Sequence, residues 1–318
     1  MQTGNSHIAL NLKKLTKSYG NLIAVKDLSL DVFQGEIFGL LGPNGAGKTT
    51  TIHMICGLLK CDSGEVYING KSLKQNYREC KSFLGLCPQN LVIWESLSCL
   101  EQLEFMGRQY DVNYRNARER SLQLLEILGL YQKRNKLAKT LSGGMKRRLN
   151  FALGLVHDPD ILILDEPQAG LDPQSRLLVR DYIRSLAKKK TVILTTHEMH
   201  EAEQLSDRIA IIDHGQLLVL DTPERLKNQI GQGDILEIKI DEEQEEKITR
   251  FMNGLPGRLH RLFFQDGALR LVDVEIKEML PLILRNLKKA QIEAQDIMIR
   301  KKTLEDVFIS LTGRRLRE

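Results

Sequence analysis

Gly42, Pro43, Asn44, Gly45, Ala46, Gly47, Lys48 and Thr49 set three glycines ahead of a lysine and a hydroxyl, and Thr50 follows. This is the G-x-x-x-x-G-K-[ST] spacing, and it stands between an apolar run and a helical one. Such a loop turns successive backbone N–H groups inward on a phosphate chain. The helix that opens near Thr50 adds a partial positive charge at its first turn. Lys48 supplies a mobile cation to the same oxygens, and the Thr49 hydroxyl can ligate Mg²⁺. A plain glycine turn between strand and helix is the alternative, and it has no need of the whole octet.

A second chemical pair closes the run Ile161-Leu162-Ile163-Leu164-Asp165-Glu166. A buried strand ending there brings Asp165 beside the phosphate loop, where it can hold Mg²⁺ through water. Glu166 then points beyond the terminal phosphate, where a carboxylate can position and polarise an attacking water. The alternative is an acidic pair that stabilises a helix N-terminus through its dipole. A third feature is Ser142-Gly143-Gly144 between Leu141 and Met145. By itself it is a serine N-cap followed by glycines. Beside the octet it offers a second set of exposed N–H groups at a positive helix end.

These groups need a scaffold. Short apolar strands alternate with longer amphipathic stretches from about residue 8 to 222, which predicts an α/β core with a mostly parallel sheet. The clearest strands are Glu36–Leu41, Ile161–Leu164, Val192–Thr195 and Arg208–Ile212, each apolar enough to be buried on both faces. From about residue 96 to 150 the pattern is helical and basic, with Arg115, Arg118, Arg120, Lys133, Arg134, Lys136, Lys139, Lys146, Arg147 and Arg148. That charge reads first as a solvated face and only second as a nucleic-acid surface.

The length of 318 residues suggests about two domains. Past Gly231 and Gly233 the pattern changes, so the boundary is expected near residue 230, with domains at 8–230 and 231–318. Asp234–Ile240 alternates as a strand, and residues 241–255 read as a helix. Leu259–Phe264 and Ala268–Val272 flank a turn at Gln265-Asp266-Gly267. A helix over Glu275–Lys289 and a strand over Asp296–Arg300 complete a β-α-β-β-α-β order, resembling a small ferredoxin-like domain. Thr303 and Asp306 form a capping box for a last helix through Ser310.

The composition is that of a soluble globular protein, 42% hydrophobic and 27% charged. No apolar run is long enough to span a membrane, and the N-terminus lacks a signal-peptide core, so a cytoplasmic protein is expected. The net charge of +5 is mild and suits a nucleotide or an anionic membrane surface without singling out nucleic acid. Cys56, Cys61, Cys80, Cys87 and Cys99 match no zinc spacing and are expected to be reduced, buried thiols.

The order GPNGAGKT, CPQN, LSGGMKRR, LILDEP, GLDP and TTHE, spread over residues 8–222, resembles the nucleotide-binding subunit of an ABC transporter. The resemblance implies a P-loop NTPase cassette: a RecA-like α/β core with an antiparallel β edge and a helical subdomain, joined here to a small α+β domain. It implies ATP and Mg²⁺ as ligands. Tyr19 then resembles the ring that stacks on adenine, although a lone tyrosine there would be edge-strand surface. Gln89 resembles the glutamine that reaches Mg²⁺ and the attacking water and senses the membrane partner; taken alone it is a turn residue. His197 resembles the switch histidine on the γ-phosphate, whereas His53, His157, His200 and His214 are expected to be structural or exposed.

Leu141 to Met145 resemble the signature that contacts the partner subunit's ATP, and Asp172 the loop that crosses to that partner. The resemblance thus implies a homodimer or heterodimer with each ATP between the octet of one subunit and the Ser-Gly-Gly of the other. One position departs: the family commonly has Thr or Ser where this chain has Gln168.

The C-terminal TLEDVFISLTGRRLRE, with LSGGMKRRL and QSR after GLDP, resembles ATP-binding subunits that export drugs, lipids, polysaccharides or Nod-factor-type molecules. In that branch the ATPase is peripheral on the cytoplasmic membrane face and pairs with a separately encoded permease. An ABC ATPase acting on ribosomes or DNA is the alternative. It is disfavoured by the single phosphate loop and by the lack of a heptad array before Ser142. A catalytically silent subunit is disfavoured because Lys48, Asp165, Glu166 and His197 are all present.

Overall fold

A computed structural model of the chain describes residues 7–231, 233–241, 247–248, 251–252, 263–265, 267–273 and 276–312. It divides into two compact units, the first ending at Pro223 and the second spanning Glu224–Arg315. No helix among the described residues is long and apolar enough to cross a membrane.

The first unit carries two sheets. β1 (Ile8–Tyr19), β2 (Leu22–Phe33), β4 (Ser63–Ile68) and β5 (Lys71–Ser72) form an antiparallel sheet in the order β2-β1-β4-β5. The six-stranded sheet contains β3 (Ile37–Leu41), β6 (Leu84–Cys87), β7 (Ile161–Asp165), β8 (Thr191–Thr196), β9 (Arg208–Asp213) and β10 (Gln216–Asp221). Its order is β10-β9-β3-β8-β7-β6, parallel except for the β10 edge.

Side-chain alternation explains why these strands are apolar throughout. Leu162, Leu164, Val192 and Leu194 face one core, while Ile161, Ile163, Ile193, Phe38 and Leu40 face another. The first core also takes α3 (Cys99–Gln109), α4 (Tyr114–Ile127) and α5 (Gly143–Leu153) through Leu103, Leu124, Leu125, Leu149 and Phe151. The second takes α1 (Lys48–Ile55) through Ile52, Met54 and Ile55, and α2 (Tyr77–Ser82) through Cys80. A strand buried on both faces has only its C-terminal end left for polar chemistry, and open α/β sheets place ligands there.

The far end of α5 lies tight on β6: a Cβ at Gly85 would run into the Gly154 carbonyl oxygen. Four of the cysteines are buried and Cys61 is half-buried; all five are free thiols. Burial pushes Cys87 up to about 11 and Cys56 up to about 12, which keeps both protonated and inert.

The second unit holds an antiparallel sheet of β11 (Asp234–Ile240), β12 (Phe263–Gln265), β13 (Ala268–Asp273) and β14 (Ala294–Arg300) in the order β12-β13-β11-β14. The helix Ile276–Lys289 packs Ile276, Ile283 and Leu287 against Leu236, Ile238, Leu269 and Leu271, despite Pro281. The helix read over 241–255, the start of the strand read over 259–264, and Asp266 of the turn lie largely outside the described residues. In the first turn of the helix Leu304–Thr312, Asp306 accepts from the N–H and hydroxyl of the preceding Thr303, both at 2.8 Å.

Candidate functional site

The octet fills the turn from β3 into α1. Gly45 and Gly47 have φ of 81° and 99°, a region that L side chains rarely adopt. A Cβ at Gly47 would also collide with the Ala24 carbonyl oxygen. Lys48 is 6% exposed and its Nζ donates to the carbonyls of Gly42 at 2.7 Å and Pro43 at 3.0 Å. Burial lowers its pKa, opposed by the charges of Glu166 and Asp165.

Strand register then assembles the rest. Asp165, the last residue of β7, pairs with Thr195 of β8, and Thr196 pairs with Leu41 of β3. The Asp165 carboxylate is 2% exposed; it accepts from Thr49 Oγ1 at 3.1 Å and from Thr195 Oγ1 at 2.5 Å. Thr195 Oγ1 in turn accepts from the Glu166 N–H at 3.1 Å. The Glu166 backbone has φ of 50°, a left-handed conformation that costs a non-glycine residue about 1–3 kcal/mol. Its side chain is nearly buried, and Oε1 lies 2.9 Å from Nδ1 of the half-exposed His197.

A cleft of about 330 Å³ runs over this floor, lined among others by Tyr19, Gly45, Lys48, Thr49, Gln89 and Glu166. Tyr19 is half exposed at its mouth. Among the described residues, Ser142, Gly143, Gly144 and Asp172 form a second group outside that lining. Ser142 caps α5 by accepting from the Met145 N–H, and Ser142 and Gly143 are exposed. A Cβ at Gly144 would sit 3.0 Å from the Asp172 carboxylate. Asp172 caps α6 (Pro173–Leu186), and hydrogen bonds from Ser175 hold its pKa below the usual range. Gln168 is buried in the turn after Glu166, where its carbonyl accepts from the Leu171 N–H at 3.2 Å.

Two groups at this site lie within the quoted stretches TTHE and LSGGMKRR but carry no assigned role in the sequence. Thr195, expected only as strand, is the hydroxyl that ties Asp165 to Glu166. Arg147, expected within a solvated basic face, is 6% exposed and turns inward. The signal for it was the i, i+3, i+4, i+7 stripe of 147, 150, 151 and 154, which places Arg147 on the buried side of α5.

A parallel core, a phosphate loop, two carboxylates at a strand end and a Ser-Gly-Gly helix start define an ATP-binding cassette. Residues 25–169 match the family described as ABC transporter. The linearmycin resistance ATP-binding protein LnrL of Bacillus subtilis (strain 168) is 34% identical over 97% of this chain and 100% of its own. The daunorubicin/doxorubicin resistance ATP-binding protein DrrA of Streptomyces peucetius is 36% identical over 96% of this chain and 92% of its own. The Nod factor export ATP-binding protein I of Cupriavidus metallidurans is 36% identical over 97% and 99%.

The chain belongs to the ABC transporter family as an ATP-binding subunit of the branch that holds these export and resistance proteins, and it is an ATPase. A solved ATP-binding subunit of an ABC transporter superposes with a TM-score of 0.65 at 27% identity, over 70% of this chain and 92% of that one. A dimeric ATP-binding cassette in a post-hydrolysis state with ADP and Pi gives 0.62 at 27% identity, over 67% and 98%.

Proposed function

We propose that two copies of this chain, or this chain and a close relative, close on two ATP molecules and thereby drive a separately encoded membrane permease in the export direction. The observation that carries the reading is the single cleft in which Tyr19, Lys48, Thr49, Gln89 and Glu166 meet, with Asp165 beneath and His197 alongside. Tyr19 stacks on adenine, and the loop 42–50 with Lys48 cradles the phosphates. Glu166 polarises the attacking water, Gln89 and His197 orient it and the γ-phosphate, and Leu141–Met145 with Asp172 serve the partner's ATP.

The oxygen donors Thr49 Oγ1 and Asp165 Oδ2, 3.1 Å apart, with Gln89 in the same cleft, suit a hard cation such as Mg²⁺. When bound, Mg²⁺ neutralises charge on the phosphate oxygens. The proposed place is the cytoplasmic membrane face, with residues 231–318 as an accessory domain and no nucleic-acid partner. Co-expression with its separately encoded permease, followed by detergent purification, should give a complex whose ATPase responds to the transported compound. Recovery only as a ribosome-bound particle would overturn the transport reading.

A further inference from the structure

Arg147 is the fifth residue of α5, the helix capped by Ser142 and opened by Gly143-Gly144. Its guanidinium reaches four backbone carbonyls on two other segments. One amino group donates to the Pro88 carbonyl at 3.3 Å and, more closely, to the Gln89 carbonyl. The other donates to the Asp165 carbonyl at 3.4 Å and to the Glu166 carbonyl at 2.5 Å. Asn150, one turn further along the same face, adds to the first group: its Oδ1 accepts from the Val92 N–H at 3.0 Å, and its Nδ2 donates to the Pro88 carbonyl at 3.3 Å.

The Glu166 peptide is therefore held from both sides. Its N–H donates to the Thr195 carbonyl and hydroxyl, both at 3.1 Å, and its carbonyl accepts from Arg147. A non-glycine residue keeps a left-handed φ only where its surroundings over-determine it, and these contacts do so at Glu166. A planar guanidinium is suited to the task, since it presents donors in a fixed fork and stays charged when buried.

We propose that Arg147 is a positioning residue: through the Glu166 and Gln89 carbonyls it sets the hydrolytic geometry of its own chain from the helix that presents Ser-Gly-Gly to a partner. The proposal rests on the reading of Glu166 as the group that polarises water. It gives α5 a two-sided role. The N-terminus of α5 meets the ATP of one site, while Arg147 adjusts the carboxylate and glutamine of the other. Displacements on the order of 1 Å at such groups can cost about a hundredfold in rate.

The test compares the parent, Arg147→Lys, Arg147→Gln, Glu166→Gln and the double variant Arg147→Lys/Glu166→Gln. Readouts are ATP affinity, kcat, KM and melting temperature. Lysine keeps the charge but cannot span four carbonyls, so kcat should fall at least about tenfold in Arg147→Lys and further in Arg147→Gln. ATP affinity should stay within about twofold, because Arg147 is not itself in the cleft lining and meets Gln89 and Glu166 only at their backbone carbonyls. Arg147→Lys should cost less in the Glu166→Gln background than in the parent, since part of its effect runs through that carboxylate and the rest through Gln89.

Parental kcat in both Arg147 variants would overturn the proposal. So would a parallel fall of kcat, affinity and melting temperature, which marks a purely structural residue. Full turnover in Glu166→Gln alone would sink the assignment of Glu166 and the proposal with it; that failure is visible in the single variant, whatever the Arg147 variants do.

Discussion

The Glu166 carboxylate lies 2.9 Å from Nδ1 of His197, and the two residues stand just past the ends of the neighbouring parallel strands β7 and β8. A carboxylate oxygen accepts, so the contact is a hydrogen bond in the His197 tautomer with N–H at Nδ1. The pairing ties the nearly buried Glu166 side chain to the half-exposed His197 ring. The register of β7 and β8 brings the two turns together, and the left-handed backbone at Glu166 directs its side chain there.

Replacing Glu166 by Gln keeps the shape and removes the charge. Turnover should fall about a hundred- to a thousandfold, equivalent to about 2.7–4 kcal/mol of barrier, while ATP still binds and holds two chains together. Phosphate release and size-exclusion chromatography with ATP check the two halves. Turnover at the parental rate removes Glu166 from the proposed role.

Replacing Thr195 by Val deletes a hydroxyl that donates to Asp165 and accepts from the Glu166 N–H, at nearly constant volume. The lost partner in a buried site should cost about 1–3 kcal/mol of stability. The Mg²⁺ concentration needed for half-maximal ATPase should also rise, since the Asp165 carboxylate loses an orienting donor. Denaturant melts and a Mg²⁺ titration test this, and an unchanged Mg²⁺ requirement would leave Thr195 with a folding role only.

Tyr19 offers an exposed ring at the mouth of the cleft. Its loss in Tyr19→Ala should weaken nucleotide binding by about two- to tenfold, the equivalent of about 0.5–1.5 kcal/mol of ring stacking, and Tyr19→Trp should restore it. Equal affinities in all three proteins exclude Tyr19 from the adenine site.

Glu201 on α7 (Met199–Leu205) carries a proton to unusually high pH. Burial first, and then the neighbouring Glu198 carboxylate, raise its pKa to about 7, against the pull of Arg176 and His197. Arg176 lies 3.6 Å from Glu201 and 3.5 Å from Glu198. The folded state thus binds this proton more tightly than the unfolded chain does. The stability it contributes is complete below the ordinary carboxylate range and is lost as pH rises through about 7. Denaturant titrations across that window should show the decline, and Glu201→Gln should flatten it. An equal slope in the variant assigns the pH dependence to other groups.

The sequence by itself determined the chemistry on offer. The octet at Gly42, the carboxylates closing an apolar strand and the Ser-Gly-Gly helix start are local patterns whose meaning depends on neighbours a few residues away. The alternation of apolar strands with helices likewise set the α/β class, because burial on both faces leaves a legible composition. Tertiary structure decided what distance along the chain conceals. Thr195 is one more β-branched strand residue until register brings it against Asp165. Arg147 is one more basic residue in a basic helical stretch until α5 docks on β6 and points it at four carbonyls. A local pattern reports which groups can bond; which buried carbonyls need a donor is set only when separate segments meet and exclude water.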